Sequence, residues 1–293
     1  MVNNKLIKIS LALFLIFALV CCSSQPKKNK GGDIYNLRSR AEGLLESGNR
    51  EASRGNYSGS LSILNEGRRN AVLTDDPSLL IRSGLSLANV LFALGRTDEA
   101  FSEWEKAIEE ARKNGNRELL AVCRIYHARG SLLSDRASAS SVLDEVNSEM
   151  VYIKTDNLYV AFSWQVKGLA LRLIGSYHEA ETAVRNSLVI HEKEMYLENA
   201  SYDWYVIASI RSLSGNAAGA LAALETAIEI DRRVENSWGL AADWRAVGDV
   251  RRILGREPDA LEAYARARAI YEAIGNASEV LEIDRRMGLK ETQ

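Results

Sequence analysis

The sequence predicts an all-α protein, an α-solenoid of about six helix-turn-helix units with a carboxy-terminal capping helix. Three observations carry that expectation. Six segments align on one another at an offset of 40 residues, starting at Ala41, Ile81, Ala121, Ala161, Ser201 and Ala241. Two columns of that alignment admit only small residues: the eighth position reads Gly48, Ala88, Ala128, Gly168, Ala208 and Gly248, and the twentieth reads Ser60, Ala100, Ser140, Ala180, Ala220 and Ala260. The fifteenth is Gly55, Gly95, Gly175, Gly215 and Gly255, broken by Asp135. Self-similarity at such a period marks units that cannot bury an apolar face alone and gain a core only by stacking.

Each unit reads as two antiparallel helices. In the last, Trp244, Val247, Gly248 and Ile253 form one helical stripe, Gly255 ends it, and Ala260, Leu261, Tyr264 and Ala267 begin a second. Glycine suits that boundary because a helix commonly ends in a left-handed residue, a conformation in which a side chain clashes. The small eighth and twentieth residues are expected to face each other where paired helices cross. Trp164, Trp204 and Trp244 share the fourth column, and further breaks fall near residues 75–77, 115–116 and 275–276. The third unit is irregular: its second helix fits if Ala139, Leu143, Val146 and Met150 move by one residue, which makes the loop around 134–138 a residue short. The solenoid is expected over 34–287, with 34–40 extending the first helix, a cap at 277–287 whose outer face is charged, and a tail at 288–293.

The pattern resembles the tetratricopeptide repeat (TPR) family. Residues 241–271 carry Trp244, Gly248, Leu254, Gly255, Ala260, Tyr264 and Ala267 at that family's spacings, and Gly175, Tyr177, Glu179 and Ala180 repeat its interhelical turn. The resemblance spans roughly residues 41–275. It departs from the family in its period, 40 residues here against about 34, and in lacking the terminal proline, as suits a second helix that runs on. It implies a right-handed superhelix whose first helices line a concave surface through positions two, five, nine and twelve. Those positions offer Arg82, Asn89, Phe92, Arg129, Phe162, Gln165, Arg172, Tyr202, Tyr205, Arg245, Asp249 and Arg252. Aromatic rings beside arginines fit an extended or helical protein segment bearing acidic groups; the alternative is that these arginines are solvated or paired with Asp249 and neighbouring glutamates. The family's clamp for a terminal carboxylate is not reproduced. Asn49 and Asn89 stand at ninth positions, but Leu45 and Leu85 replace its lysine, and Val122 and Tyr126 its next basic pair.

At the amino terminus Lys5 and Lys8 precede the apolar run 9–20, followed at once by Cys21 and Cys22. Such a run is an export signal, too short for a permanent span. It looks like a bacterial lipoprotein signal at 1–21, with Cys22 as the lipidated residue; Cys21 fits less well, because the bulkier Val20 would then precede the cut. An ordinary secretory peptide is the alternative, against which stands the lack of a small-x-small site before the cysteines. Several acyl chains on one residue anchor firmly where one holds only marginally. Residues 22–33, with Lys27, Lys28, Lys30, Gly31 and Gly32, read as a lipid-anchored flexible tether. Ser23, by analogy with bacterial lipoproteins, points to the outer membrane, facing the periplasm.

Removing residues 1–21 takes two lysines and no acid, leaving 35 basic against 39 acidic residues and moving the net charge from −2 to −4. That balance does not point to nucleic acid. Cys123 is the one cysteine of the expected folded part, so an internal disulfide framework is excluded. Cys123 and His127 lie four apart, but nothing completes a zinc ligand set, and His178 and His191 have no nucleophile motif nearby. No G-x-S-x-G, phosphate loop or H-E-x-x-H occurs. The expectation is a non-enzyme without metal or cofactor: a membrane-anchored scaffold or adaptor of the bacterial cell envelope that binds a protein or peptide segment in an assembly, secretion or transport complex. The alternatives are an accessory subunit that binds a small ligand or regulates an enzyme, or a surface-displayed adhesin. A long open groove would favour the first, a closed apolar pocket the accessory subunit.

Overall fold

The 40-residue period is two equal halves. A computed structural model describes residues 33–134 and 138–289, and within these it holds α1 (Asp33–Ser53), α2 (Tyr57–Leu73), α3 (Pro77–Ala93), α4 (Thr97–Asn114), α5 (Arg117–Ser134), α6 (Ala139–Glu149), α7 (Asn157–Leu173), α8 (Tyr177–Lys193), α9 (Leu197–Leu213), α10 (Ala217–Val234), α11 (Ser237–Ile253), α12 (Glu257–Ala273) and α13 (Ala277–Met287), with a 3-10 turn at Met150–Tyr152. Most of these helices are 17 residues long. A three-residue turn after each gives a half-repeat of about 20 residues, roughly 30 Å of chain per helix-and-turn at the helical rise.

The turns show why the spacing is so regular. Left-handed residues recur at 55, 75, 95 and 115, then at 175, 195, 215, 235, 255 and 275. Within units the residue is glycine, as expected; between units Asp75, Met195 and Glu235 adopt the same conformation with a side chain. At most of these turns the residue after it donates its N–H back five positions, as Asn56 does to the Glu51 carbonyl and Asn276 to that of Tyr271, which satisfies carbonyls left free at the helix end. At several turns that next residue also caps the following helix: Asn56, Asp76, Asn116, Asn216, Asn236 and Asn276 each accept from the N–H three residues on.

The paired helices cross at the small columns. Ser60 Oγ donates to the Gly48 carbonyl at 2.7 Å, and Ser60, Ala100, Ala180, Ala220 and Ala260 are all fully buried. A Cβ on Gly48, Gly168 or Gly248 would overlap Leu64, Val184 or Tyr264. Position eight is thus a socket for the residue at position twenty-four of the same unit. In the third unit the twentieth slot is taken by buried Ala139 while Ser140 is exposed, the one-residue shift expected of this unit. Its shortened α6 is compensated by charge: buried Glu149 pairs with Arg117 at 2.8 Å and with Arg124, and the Glu118 carboxylate accepts from the Lys154 and Thr155 N–H groups and from the Thr155 hydroxyl. The loop at 135–137 lies outside the described residues, as do the expected signal, Cys21, Cys22, the tether before Asp33, and residues 290–293 of the tail.

First helices of successive units also touch one another, α1 on α3, α3 on α5, and so on to α9 on α11, making an inner layer. α13 covers the end, burying Ile283 and pairing Arg286 with Asp249, Asp284 with Arg268 and Glu279 with Arg245. No helix among the described residues is long and apolar enough to cross a membrane.

Two substitutions test this construction by urea denaturation. Ala220→Leu, at a crossing with no free space, is expected to lower stability by about 1 to 3 kcal/mol. Met195→Gly, at an exposed left-handed position, is expected to raise it by up to about 1 kcal/mol.

Candidate functional site

Curvature accumulated over six units brings the first against the sixth. Tyr57, at the start of α2, meets Trp238 edge-on with ring centroids 5.5 Å apart. Trp238 in turn packs on Tyr271 at 5.4 Å, and Arg54 approaches Glu235 at 3.9 Å. A Cβ on Gly55 would lie 3.1 Å from the Ile274 side chain. The solenoid therefore closes on itself, with α1 and α11 in contact.

Inside the ring lies a central cavity of about 380 Å³, open to solvent, to which the first helices of all six units contribute. Its wall mixes polar groups, Asn49 on α1, Asn89 on α3, Arg129 on α5, Gln165 on α7, Glu198 and Asn199 on α9, and Asn236 before α11, with the apolar faces of Tyr57, Tyr126, Phe162, Tyr202 and Trp238. Asn89 Oδ1 and Arg129 Nε are shielded from solvent without a hydrogen-bonding partner in the protein. Tyr126 and Phe162 stack at 4.2 Å, giving the wall a flat aromatic face.

The candidate groove residues divide among three situations. Asn89, Arg129, Phe162, Gln165 and Tyr202 line the central cavity. Tyr202, Tyr205 and Arg245 line a second, smaller pocket of about 270 Å³ beside it, which shares Tyr202, Asn236 and Trp238 with the first. The others are engaged within the protein. Arg82 hydrogen-bonds Tyr159, Phe92 packs on Trp104, and Arg172 donates to Ser209 Oγ at 2.6 Å. Asp249 pairs with Arg286 and accepts from the Tyr264 hydroxyl, and Arg252 pairs with Glu257. Arg245 is itself tied to Glu279 at 2.8 Å.

Sequence reasoning missed Glu198, Asn199, Asn236 and Trp238 because the repeat was framed from residues 41, 81 and so on, whereas the first helices begin about four residues earlier. It also missed a register between units: position thirty-one of one unit meets position three of the next. At one such contact His191 Nδ1 donates to Asp203 Oδ2 at 2.7 Å, with Gln165 Nε2 donating to Asp203 Oδ1 at 2.8 Å, all buried. One unit on, the same register sets Asp231 against Asp243. Both are buried, 2% and 1% exposed, and they hydrogen-bond each other. Asn236 Nδ2 donates to Asp231 Oδ1 at 3.0 Å, but Asp243 Oδ2 has no partner. Burial, and for Asp243 the facing Asp231, push Asp231 up to about 6 and Asp243 up to about 9, so the pair holds a proton at neutral pH. The signal was present in the sequence: position three is otherwise Gly43, Ser83, Cys123 and Ser163, so two aspartates stand out in a column of small residues. Cys123 is buried in that column and its thiol is pushed up to about 12 by burial, which removes its nucleophilic form.

No family model matches the chain, and no curated protein matches it. Solved structures do. A Rap protein complexed with Competence and Sporulation Factor superposes with a TM-score of 0.59 at 15% identity, covering 85% of this chain and 74% of that one. TTC0263, a TPR protein of Thermus thermophilus, superposes with a TM-score of 0.50 at 18% identity, covering 71% of this chain and 97% of that one. The class defined here is accordingly the TPR-type α-solenoid. Within it this chain is a six-unit form with a 40-residue period, bent until its ends meet.

The acid pair makes a signed prediction. Both groups bind protons more tightly folded than unfolded, where their ordinary value is 3.8. Their contribution to stability is therefore fully present below about pH 4 and is lost as pH rises through about 6 and then about 9. Asp243→Asn keeps a donor toward Asp231 and removes the second charge. Its melting temperature is expected to exceed that of the parent by a margin that widens from pH 5 to pH 9; a constant margin would contradict the buried pair.

Proposed function

We propose that this protein is a lipid-anchored, non-catalytic receptor or adaptor of the bacterial cell envelope, taking a short extended segment of a protein or peptide partner into its central cavity. The observation that carries this reading is the wall of the central cavity, in which Asn89 Oδ1 and Arg129 Nε stand shielded and unpartnered among carboxamides and aromatic rings. Buried polar atoms are almost always hydrogen-bonded, and carboxamides beside an arginine present the donors and acceptors that an extended backbone and its carboxylates require. Aromatic faces at Phe162 and Tyr202 supply apolar contact at low entropic cost. The Rap structure, solved with its Competence and Sporulation Factor, supports a bound factor as the kind of partner a solenoid of this fold accommodates.

The membrane part rests on the sequence. The short apolar run ending at Cys21 and Cys22 supports lipidation at Cys22, and the tether supports display of the solenoid some distance from the lipid. Placement on the outer membrane facing the periplasm rests on Ser23. A second reading, capture of a small ligand by an accessory subunit, is favoured by the closure itself, since about 380 Å³ falls within the range of small-molecule sites, roughly 300 to 1,000 Å³.

Two measurements test the proposal. Metabolic labelling with an alkyne fatty acid in a bacterial host is expected to mark the parent and Cys21→Ala but not Cys22→Ala; labelling of neither parent nor variant would remove the anchor. A photocrosslinking residue at Tyr202 in the full chain is expected to capture one envelope partner, lost in Asn89→Ala with Arg129→Gln. Equal capture in that variant would remove the cavity from partner binding.

A further inference from the structure

The smaller pocket has a chemistry of its own. Asp243, 1% exposed, lines it with an oxygen that has no partner, and Tyr271, fully buried, brings to the same space a hydroxyl that also has none. These two come from different helices, α11 and α12. Asp231 on α10 adds a second carboxyl, held against the start of α11 at Gly239, where a Cβ would overlap its carboxylate. The rings of Tyr202, Tyr205, Trp238 and Tyr271 make up much of the remaining wall. Among the described residues the one cation lining it, Arg245, is already paired with Glu279 at 2.8 Å. Two carboxyls, a phenol oxygen without a partner and aromatic faces in a recessed pocket form an environment that attracts a cation and can accept several hydrogen bonds from it.

We propose that this side pocket is a receptor for a primary alkylammonium group, entering from the central cavity past Tyr202 and Trp238. The three N–H donors of the ammonium would meet Asp243 Oδ2, the Asp231 carboxylate and the Tyr271 hydroxyl oxygen, while its methylene stem lies against the rings. The inference does not depend on what fills the central cavity. A free amine and a lysine side chain on a bound segment share this chemistry.

Binding displaces the proton that the pair holds. The groups facing that proton are Asp231 on α10, Asp243 and Arg245 on α11, Tyr202, Tyr205 and Glu198 on α9, Tyr271 on α12, and Glu279 on α13 behind Arg245. Of these, Asp243, pushed up to about 9, sets the linkage: affinity rises with pH up to that value, by about tenfold per pH unit where one proton is released.

The test is calorimetric titration of the full chain with n-butylammonium, with n-butanol as the neutral control, in two buffers of different ionisation enthalpy. The expected result is saturable binding of the amine alone, with about one proton released per site at pH 7.5. Affinity is expected to drop at least tenfold in Asp243→Asn, which is itself expected to be the more stable chain, and to weaken severalfold in Tyr271→Phe. No binding of the amine, equal binding of the alcohol, or unchanged affinity in both variants would overturn the proposal. The peptide acetyl-Gly-Lys-Gly-amide distinguishes the source. Tighter binding than n-butylammonium assigns the pocket to a chain-borne lysine, and weaker binding assigns it to a free amine.

Discussion

A solenoid gains its core only between neighbours, so nothing in its construction requires its first unit to know about its last. Here the accumulated turn of six units sets Tyr57 against Trp238 at 5.5 Å and Arg54 beside Glu235, and the interior depends on that meeting. Without it, the inner helices would line a one-sided groove; with it, Asn49, Asn89, Arg129 and Gln165 line one central cavity. Trp238 stands in the wall of both pockets and in the closing contact, so occupancy of the cavity and closure of the ring act on the same side chain.

Enclosure changes what the charges do. Much of the arginine complement of the first helices is paired within the protein, with Arg172 on Ser209, Arg245 on Glu279 and Arg252 on Glu257. Partly exposed pairs of this kind contribute little to stability, about 0 to 1 kcal/mol each, but they fix which polar groups remain available. What remains is selective: carboxamides and Arg129 in the central cavity, and a proton-sharing pair of carboxyls in the side pocket. The His191–Asp203 and Asp231–Asp243 contacts occupy one register in successive interfaces. In the first, opposite character satisfies the buried aspartate. In the second, like character leaves Asp243 Oδ2 without a partner, at a cost in stability.

The fold was legible because its signals are local and repeated. The small residues at positions eight and twenty mark the crossing that Ser60 and Gly48 make, and even the one-residue slip of the third unit could be read from Ala139 and Val146. Asp75, Met195 and Glu235 were not legible as left-handed residues, since each has a side chain that disfavours that conformation; the packing of helices on both sides imposes it. Ring closure was illegible for another reason. It is the sum of small rotations between units, and no residue encodes the sum. The candidate site inherits both facts. Asn89, Gln165 and Tyr202 came from the repeat register, whereas Trp238 and Asn236 could be assigned to the interior only once the ring was seen to close.

The central claim is that closure, and it is tested most directly by a double-mutant cycle on Tyr57→Ala and Trp238→Ala in urea denaturation. These residues lie in the first and sixth units and share no neighbouring turn, so coupling between them can arise only through the closing contact. An edge-on aromatic pair at this distance predicts a coupling of about 0.5 to 1.5 kcal/mol. Additive effects, with coupling indistinguishable from zero, would mean that the ends do not meet in solution and that the central cavity is an open groove.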